Sequence, residues 1–227
     1  MNHSGWARVI ALIFPYFIIV GLFQLAGAFV AGIPFGDNDF QETSLQQLIM
    51  TFFSFLGTLI LVWIFMKYMD KQNFMDVGLQ IKNRKNDIII GTLFGLVIMG
   101  LAYVSLWAAE EIIYSEFNFD VLELIYTTLL FLLVAILEEV LFRGYILKNL
   151  MLSFNKYIAL IISSIVFAIA HGANPNISLF SLTGLFLAGI ALGVSYIYTK
   201  NLWYPIAFHF SWNLFQSLFG FNVSGQD

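Results

Sequence analysis

The sequence predicts an all-α fold: a polytopic bundle of about seven transmembrane helices, or eight if one apolar segment divides. Two observations carry that prediction. Of 227 residues, 60% are hydrophobic and 11% are charged, against about 45–50% apolar and about 25% charged in soluble domains. The apolar residues also gather in runs near the roughly 20 residues that cross a hydrocarbon core. With a mean hydropathy of +0.85, the chain lacks both the polar groups of a water-facing surface and the composition of a disordered one. Strand-like alternation over ten-residue segments is absent, which argues against a β-barrel. The lack of cysteine excludes a disulfide framework, a thiolate nucleophile and a zinc ribbon. A net charge of −4 argues against a nucleic-acid partner, which would need a basic patch.

The first run, 9–32, follows Arg8 and contains Leu25-Ala26-Gly27-Ala28, the pattern of a signal-peptide cleavage site. It continues apolar to Val30, beyond the usual signal core of about 7–15 residues, and reads as a retained first helix. The second run, 46–66, leads into the longest polar stretch, Lys67 to Asp87, which reads as a loop. Runs at 88–108 and 122–145 follow, the latter with charges near its end. The fifth, 157–172, is closed by Gly172 and Pro175, both helix-stop residues. Counted from Lys156 it is about 24 Å long, short of the roughly 30 Å core, so His171 is expected below the far surface. The sixth run is 178–198, and Pro205 marks the start of the seventh, 203–220. Residues 1–227 read as one transmembrane domain, with 121–220 as its catalytic core.

Orientation follows from the cations. With an N-terminus inside, Arg8, Lys67, Lys71, Lys82, Arg84, Lys85, Lys148, Lys156 and Lys200 lie on one side, and Arg143 is nearest to it. The opposite connections hold Asp37, Asp39, Glu42, Glu110, Glu111, Glu116, Asp120 and Glu123, then Asp227, with no cation. A cell-membrane protein with a cytoplasmic N-terminus is expected. The two acidic connections read as solvated loops.

Ionisable groups inside such a bundle are costly and usually mark a functional interior. In Glu138-Glu139-Val140-Leu141-Phe142-Arg143, Glu139 and Arg143 are four apart and share a helix face, in the favourable order. Glu138 is about 140° away. One glutamate therefore becomes the counter-ion, and the other is left desolvated and suited to general-base work. The plainer reading is a charge pair at the membrane edge. His171 ends the fifth helix, where it either serves chemistry or satisfies carbonyls of its own helix. His209 and Asn213, four apart on the last helix, offer donors to a developing oxyanion or simply an interhelical hydrogen bond. Along their helices, Glu138, His171 and His209 lie about 15, 22 and 14 Å from the cationic ends. They can therefore meet at mid-depth, in a cavity expected to open toward the cytoplasm. The sequence has no His-Glu-x-x-His pair, rhomboid-type Gly-x-Ser-Gly or Walker loop, leaving water as the natural nucleophile.

These residues form an ordered set, Glu138-Glu139-x-x-x-Arg143, Phe167-x-x-x-His171 and His209-x-x-x-Asn213. The set resembles that of the CAAX-protease and bacteriocin-processing family (also called Abi, or type II CAAX prenyl endopeptidases). The resemblance implies a multi-pass membrane endopeptidase in which Glu138 and His171 activate water. It further implies that His209 and Asn213 hold the oxyanion, that Glu139 and Arg143 orient the site, and that Phe167 packs beside His171. Substrates would be membrane-bound or lipidated peptides. A metal-independent reaction without cofactor is favoured. Zinc on Glu138, Glu139, His171 and His209 is the alternative, since His₂Glu with an open position suits that ion. A non-enzymatic immunity or adaptor protein binding a peptide in the same cavity is the competing function, ahead of a proton-relay transporter.

Overall fold

The computed structural model describes residues 4–34, 40–114, 120–174 and 176–223. Seven helices form in them: α1 (Gly5–Ala31), α2 (Ser44–Asp70), α3 (Lys85–Ala108), α4 (Val121–Leu150), α5 (Lys156–Ala170), α6 (Leu179–Thr199) and α7 (Trp203–Leu218). Each expected segment is a helix, and none divides into an eighth. By length and composition, five of the described helices, α1, α2, α3, α4 and α6, are long and apolar enough to cross a membrane. Helices α5 and α7 have 15 and 16 residues, about 22 to 24 Å of rise. These two short helices carry the site histidines. Pro175 and the acids Asp37, Asp39, Glu116 and Asp227 lie outside the described residues.

The helices start where side chains satisfy the first orphan amides. Asp120 accepts from the amides of Leu122 (2.7 Å) and Glu123 (3.1 Å). Thr43 and Gln46 form a capping box on α2. Asn155 caps α5 and Ser178 caps α6. Asp120, read as a loop acid, is thus a helix cap. Two helices widen into π turns, α2 at Met66–Asp70 and α4 at Val140–Leu147. The second lies immediately after the paired glutamates, and such wide turns recur at functional sites.

Apolar side chains face outward along most of the bundle, as lipid contact allows. Helix–helix contact relies on small residues instead, because lipid tails remove the hydrophobic drive between helices. On α3, a Cβ added at Gly91 would lie 2.6 Å from the Tyr204 carbonyl oxygen of α7. On α6, one added at Gly189 would lie 2.9 Å from Ser164 Cβ of α5. These approaches press α7 against α3 and α6 against α5. The interior they enclose includes Leu61, Ala135, Val140, Tyr145, Leu147 and Phe167.

The cation-bearing end is fastened by a polar network rather than left as loops. Arg8 pairs with Asp70 at 3.0 Å, while Asn149 Nδ2 donates to Asp70 (3.1 Å) and to the Tyr145 carbonyl (3.1 Å). Lys148 donates to the Asp76 carbonyl at 2.7 Å, and Tyr196 to that of Val77 at 2.9 Å. The stretch Lys67 to Asp87, read as a loop, therefore folds as a cover over the ends of α4 and α6, including a short 3₁₀ turn at Phe74–Val77.

Replacing Gly189 by Val should lower the thermal unfolding midpoint in detergent, by about 1–3 kcal/mol of overpacking. Gly100→Ala, whose Cβ would meet nothing within 4 Å, should not destabilise; equal loss in both variants would contradict the close α5–α6 approach.

Candidate active site

Arg143 is 1% exposed and Glu139 0%, so neither charge is solvated and each must be paired within the bundle. Arg143 Nη1 donates to Glu139 Oε1 at 2.8 Å, and Nη2 donates to the Gly189 carbonyl at 3.2 Å. The guanidinium also lies 4.4 Å from the Phe167 ring centre, a cation–π contact. The expected Glu139–Arg143 pair is therefore present, one helical turn apart in α4. Arg143 fastens α4 to α6 and to the aromatic ring of α5 at once.

Glu139 Oε1 also accepts from His209 Nδ1, at 3.0 Å. Because a carboxylate can only accept, the proton on this bond belongs to Nδ1. That fixes the tautomer of the neutral ring and turns its Nε2 toward Glu138, 3.9 Å from Oε2. The second partner of Glu139, a histidine from α7, was not foreseen from the sequence.

His171 has a partner on each side of its ring. Its Nδ1 donates to the Phe167 carbonyl at 2.8 Å, closing its own helix end. Its Nε2 then points at Glu138, 3.6 Å from Oε1. Phe167 stacks against the ring with centroids 4.5 Å apart and meets Phe142 edge-on at 5.0 Å. Glu138 thus lies between two imidazole Nε2 atoms on separate helices, and its Oε2 is buried without a hydrogen-bond partner. Those gaps exceed direct hydrogen bonds. They suit a small polar molecule held between the three groups.

Glu138, His171, His209 and Asn213 all line one cavity of about 640 Å³, within the usual size of a small-molecule or peptide side-chain site. Phe167, Leu192 and Phe208 close its bottom; Val134, Leu185, Ala188, Ala191 and Trp212 form apolar walls. Asn213 is half-buried on this wall, one turn along α7 from His209. The rim is polar, with Asn174, Asn176, Ser181, Gln216 and Asn222. These rim residues follow α5, begin α6 and end α7, which places them at the end of the bundle remote from the cations. The sequence reading places the opening on the cation-bearing side.

Sequence reasoning missed the contribution of α6. It supplies the Gly189 carbonyl and most of the apolar wall but has no ionisable residue facing the site. A signal was present: Gly184, Ala188 and Ala191 recur at i, i+4 and i+7, a small-residue face that leaves room for a ligand.

The zinc alternative would draw on Glu138, Glu139, His171 and His209, of which Glu139 Oε1 already receives Arg143 and His209. Among the described residues, no group of three His, Asp or Glu side chains is placed to hold a metal ion. No step is assigned to a metal ion.

The fold and site define a helical membrane protein with a buried carboxylate–histidine centre, a feature of hydrolytic membrane enzymes. Comparison with known proteins names the group. Residues 120–215, the segment carrying all three motifs, match the family described as type II CAAX prenyl endopeptidase Rce1-like. The chain is also similar to YdiL of Bacillus subtilis (strain 168), a candidate membrane peptidase by its name. The two are 26% identical over 230 residues, covering 95% of this chain and 88% of that protein. No solved structure gives a significant match.

Converting Glu139 to Gln should destabilise the fold by about 3–5 kcal/mol, because Arg143 would stay buried without its counter-ion. Glu138→Gln should leave the thermal midpoint in detergent almost unchanged. Matching losses in the two variants would contradict the division of roles between the adjacent carboxylates.

Proposed function

We propose that the protein is an intramembrane endopeptidase that hydrolyses a peptide bond in a membrane-associated peptide or protein, with water as nucleophile. The observation that carries this reading is the meeting of Glu138 with His171 Nε2 (3.6 Å) and His209 Nε2 (3.9 Å) in a largely apolar cavity. A desolvated carboxylate beside a neutral imidazole offers two acceptors to one water, holding it in place for proton removal.

In this reading, water held by Glu138 and His171 attacks the scissile carbonyl carbon as its proton passes to the Glu138 carboxylate. The C=O π electrons move onto oxygen, giving a tetrahedral oxyanion. His209, oriented through Nδ1 by Glu139, and the Asn213 amide form the proposed oxyanion site, with the amide N–H donating to that oxygen. Collapse of the intermediate breaks the C–N bond, and the proton carried by Glu138 passes to the leaving nitrogen. Arg143 takes no part in proton transfer; it holds Glu139, which holds His209. The apolar walls exclude water beyond the attacking one and favour an apolar side chain or lipid group beside the bond.

Cation distribution supports a cytoplasmic N-terminus, and in that orientation the polar rim faces the external side. Because the chain has no cysteine, single substitutions report this directly. Ser181→Cys should react with a membrane-impermeant maleimide in intact cells, and Lys82→Cys only after lysis; the reverse pattern inverts the orientation.

Activity is tested by comparing membrane peptides from cells lacking the protein with those from cells expressing it or its Glu138→Ala form. Cleavage products should vanish in the variant although it inserts and folds. Asn213→Ala should lower the rate about 10²–10³-fold. If biological function survives Glu138→Ala and His171→Ala, the protein is a peptide-binding immunity or adaptor protein instead. Chelator-sensitive cleavage restored by Zn²⁺ would overturn the metal-free step.

A further inference from the structure

At the cation-bearing end, the beginning of α5 and the end of α6 bring two lysines together with no carboxylate between them. Lys156 Nζ lies 3.8 Å from the ring centre of Tyr198 and 5.2 Å from that of Tyr157. This contact carries the first residue of α5 across to the last turn of α6, beside Lys200. Lys200 is itself turned back on its helix, where Nζ donates to the Ile197 carbonyl and to Met151 Sδ, both at 3.0 Å. Partial burial and the charge of Lys156 both hold the Lys200 ammonium below its ordinary value, as expected of two cations that share a site without an anion. At this end Arg8 pairs with Asp70 and Arg84 with Asp87, whereas Lys156 and Lys200 are neighbours held against aromatic rings, a carbonyl and a thioether. No described carboxylate lies within ion-pair distance of Lys156 or Lys200.

Two tyrosine hydroxyls complete the cluster. Tyr157 and Tyr198 hydrogen-bond to each other at 3.1 Å, which uses one of their two O–H groups and leaves the other for an outside acceptor. Both rings are exposed, at 56% and 61%. Tyrosines of this kind sit at the membrane–water boundary. Directly below them, Ile158, Ile161, Ile165 and Ile169 form an exposed apolar line along α5, with the i, i+3, i+7 and i+11 spacing of one helix face. The polar cluster therefore caps a lipid-facing track.

We propose that Lys156, Lys200 and the Tyr157–Tyr198 hydroxyl pair bind the phosphate of an anionic phospholipid, whose acyl chains lie along the isoleucine face of α5. Charge complementarity selects an anion, and continuity with the apolar track selects a lipid over free phosphate. The site lies on the outside of α5 and α6, away from the cavity, and does not depend on the proposed peptidase reaction.

Native mass spectrometry of the purified full chain, equilibrated with phosphatidylglycerol or phosphatidylcholine, tests this. The wild type should retain phosphatidylglycerol preferentially. The double variant Lys156→Gln/Lys200→Gln should bind it about tenfold more weakly, in line with roughly 1 kcal/mol per lysine near an anionic surface, less screening. Lys156→Arg/Lys200→Arg should restore retention, and an unchanged thermal midpoint in phosphatidylcholine would exclude misfolding of the Gln variant as the cause. Equal phosphatidylglycerol retention by wild type and the Gln variant would overturn the proposal. So would displacement of the lipid by excess inorganic phosphate, which would mark a simple anion site.

Discussion

One carboxylate oxygen, Glu139 Oε1, organises the centre of this protein. It receives Arg143 from its own helix and His209 from α7, in an interior where an unpaired charge would cost several kcal/mol. Arg143 in turn reaches the α6 backbone and the Phe167 ring of α5. Four helices thus converge on one buried ion pair. In a bilayer the hydrophobic effect does little to choose between helix arrangements, so a desolvated charge that must find its partners becomes the strongest constraint on how they pack.

That constraint also sets the chemistry. With Glu139 Oε1 holding both Arg143 and His209, the adjacent Glu138 has no arginine of its own and faces the cavity, where it meets imidazole nitrogens. Neighbouring residues of one helix thereby take different roles, one fixed and one available, because successive side chains point about 100° apart. The π turn that begins at Val140 follows this pair directly, so Arg143 reaches back to Glu139 across a widened turn. His171 and His209 are each tied through Nδ1, to a carbonyl and to a carboxylate. Their Nε2 atoms are therefore fixed in direction, as the proposed hydrolysis would require.

Much of the site was legible in the sequence, for a reason specific to membrane proteins. Glu138, Glu139, Arg143, His171 and His209 stand out because each is expensive where it lies. Helical spacing was enough to pair Glu139 with Arg143 and to set Asn213 on the face of His209. It could not reveal the His209–Glu139 bond, which joins residues 70 positions apart and depends on how α7 docks on α4. Nor could it reveal α6, whose contribution is a backbone carbonyl and small side chains. Composition treats Gly184 or Ala188 as ordinary span residues, whereas the fold uses their small size as space.

The sequence by itself determined the all-α membrane class, the seven helical segments and the identity of the ionisable centre, because hydropathy and the cost of buried charge are local properties. Only the tertiary structure decided which carboxylate pairs with Arg143 and His209, which one faces the cavity, and which helices enclose it. These depend on where helices approach closely, as at Gly91 and Gly189. Close approach is a property of two surfaces fitted together, and neither surface alone encodes the gap between them.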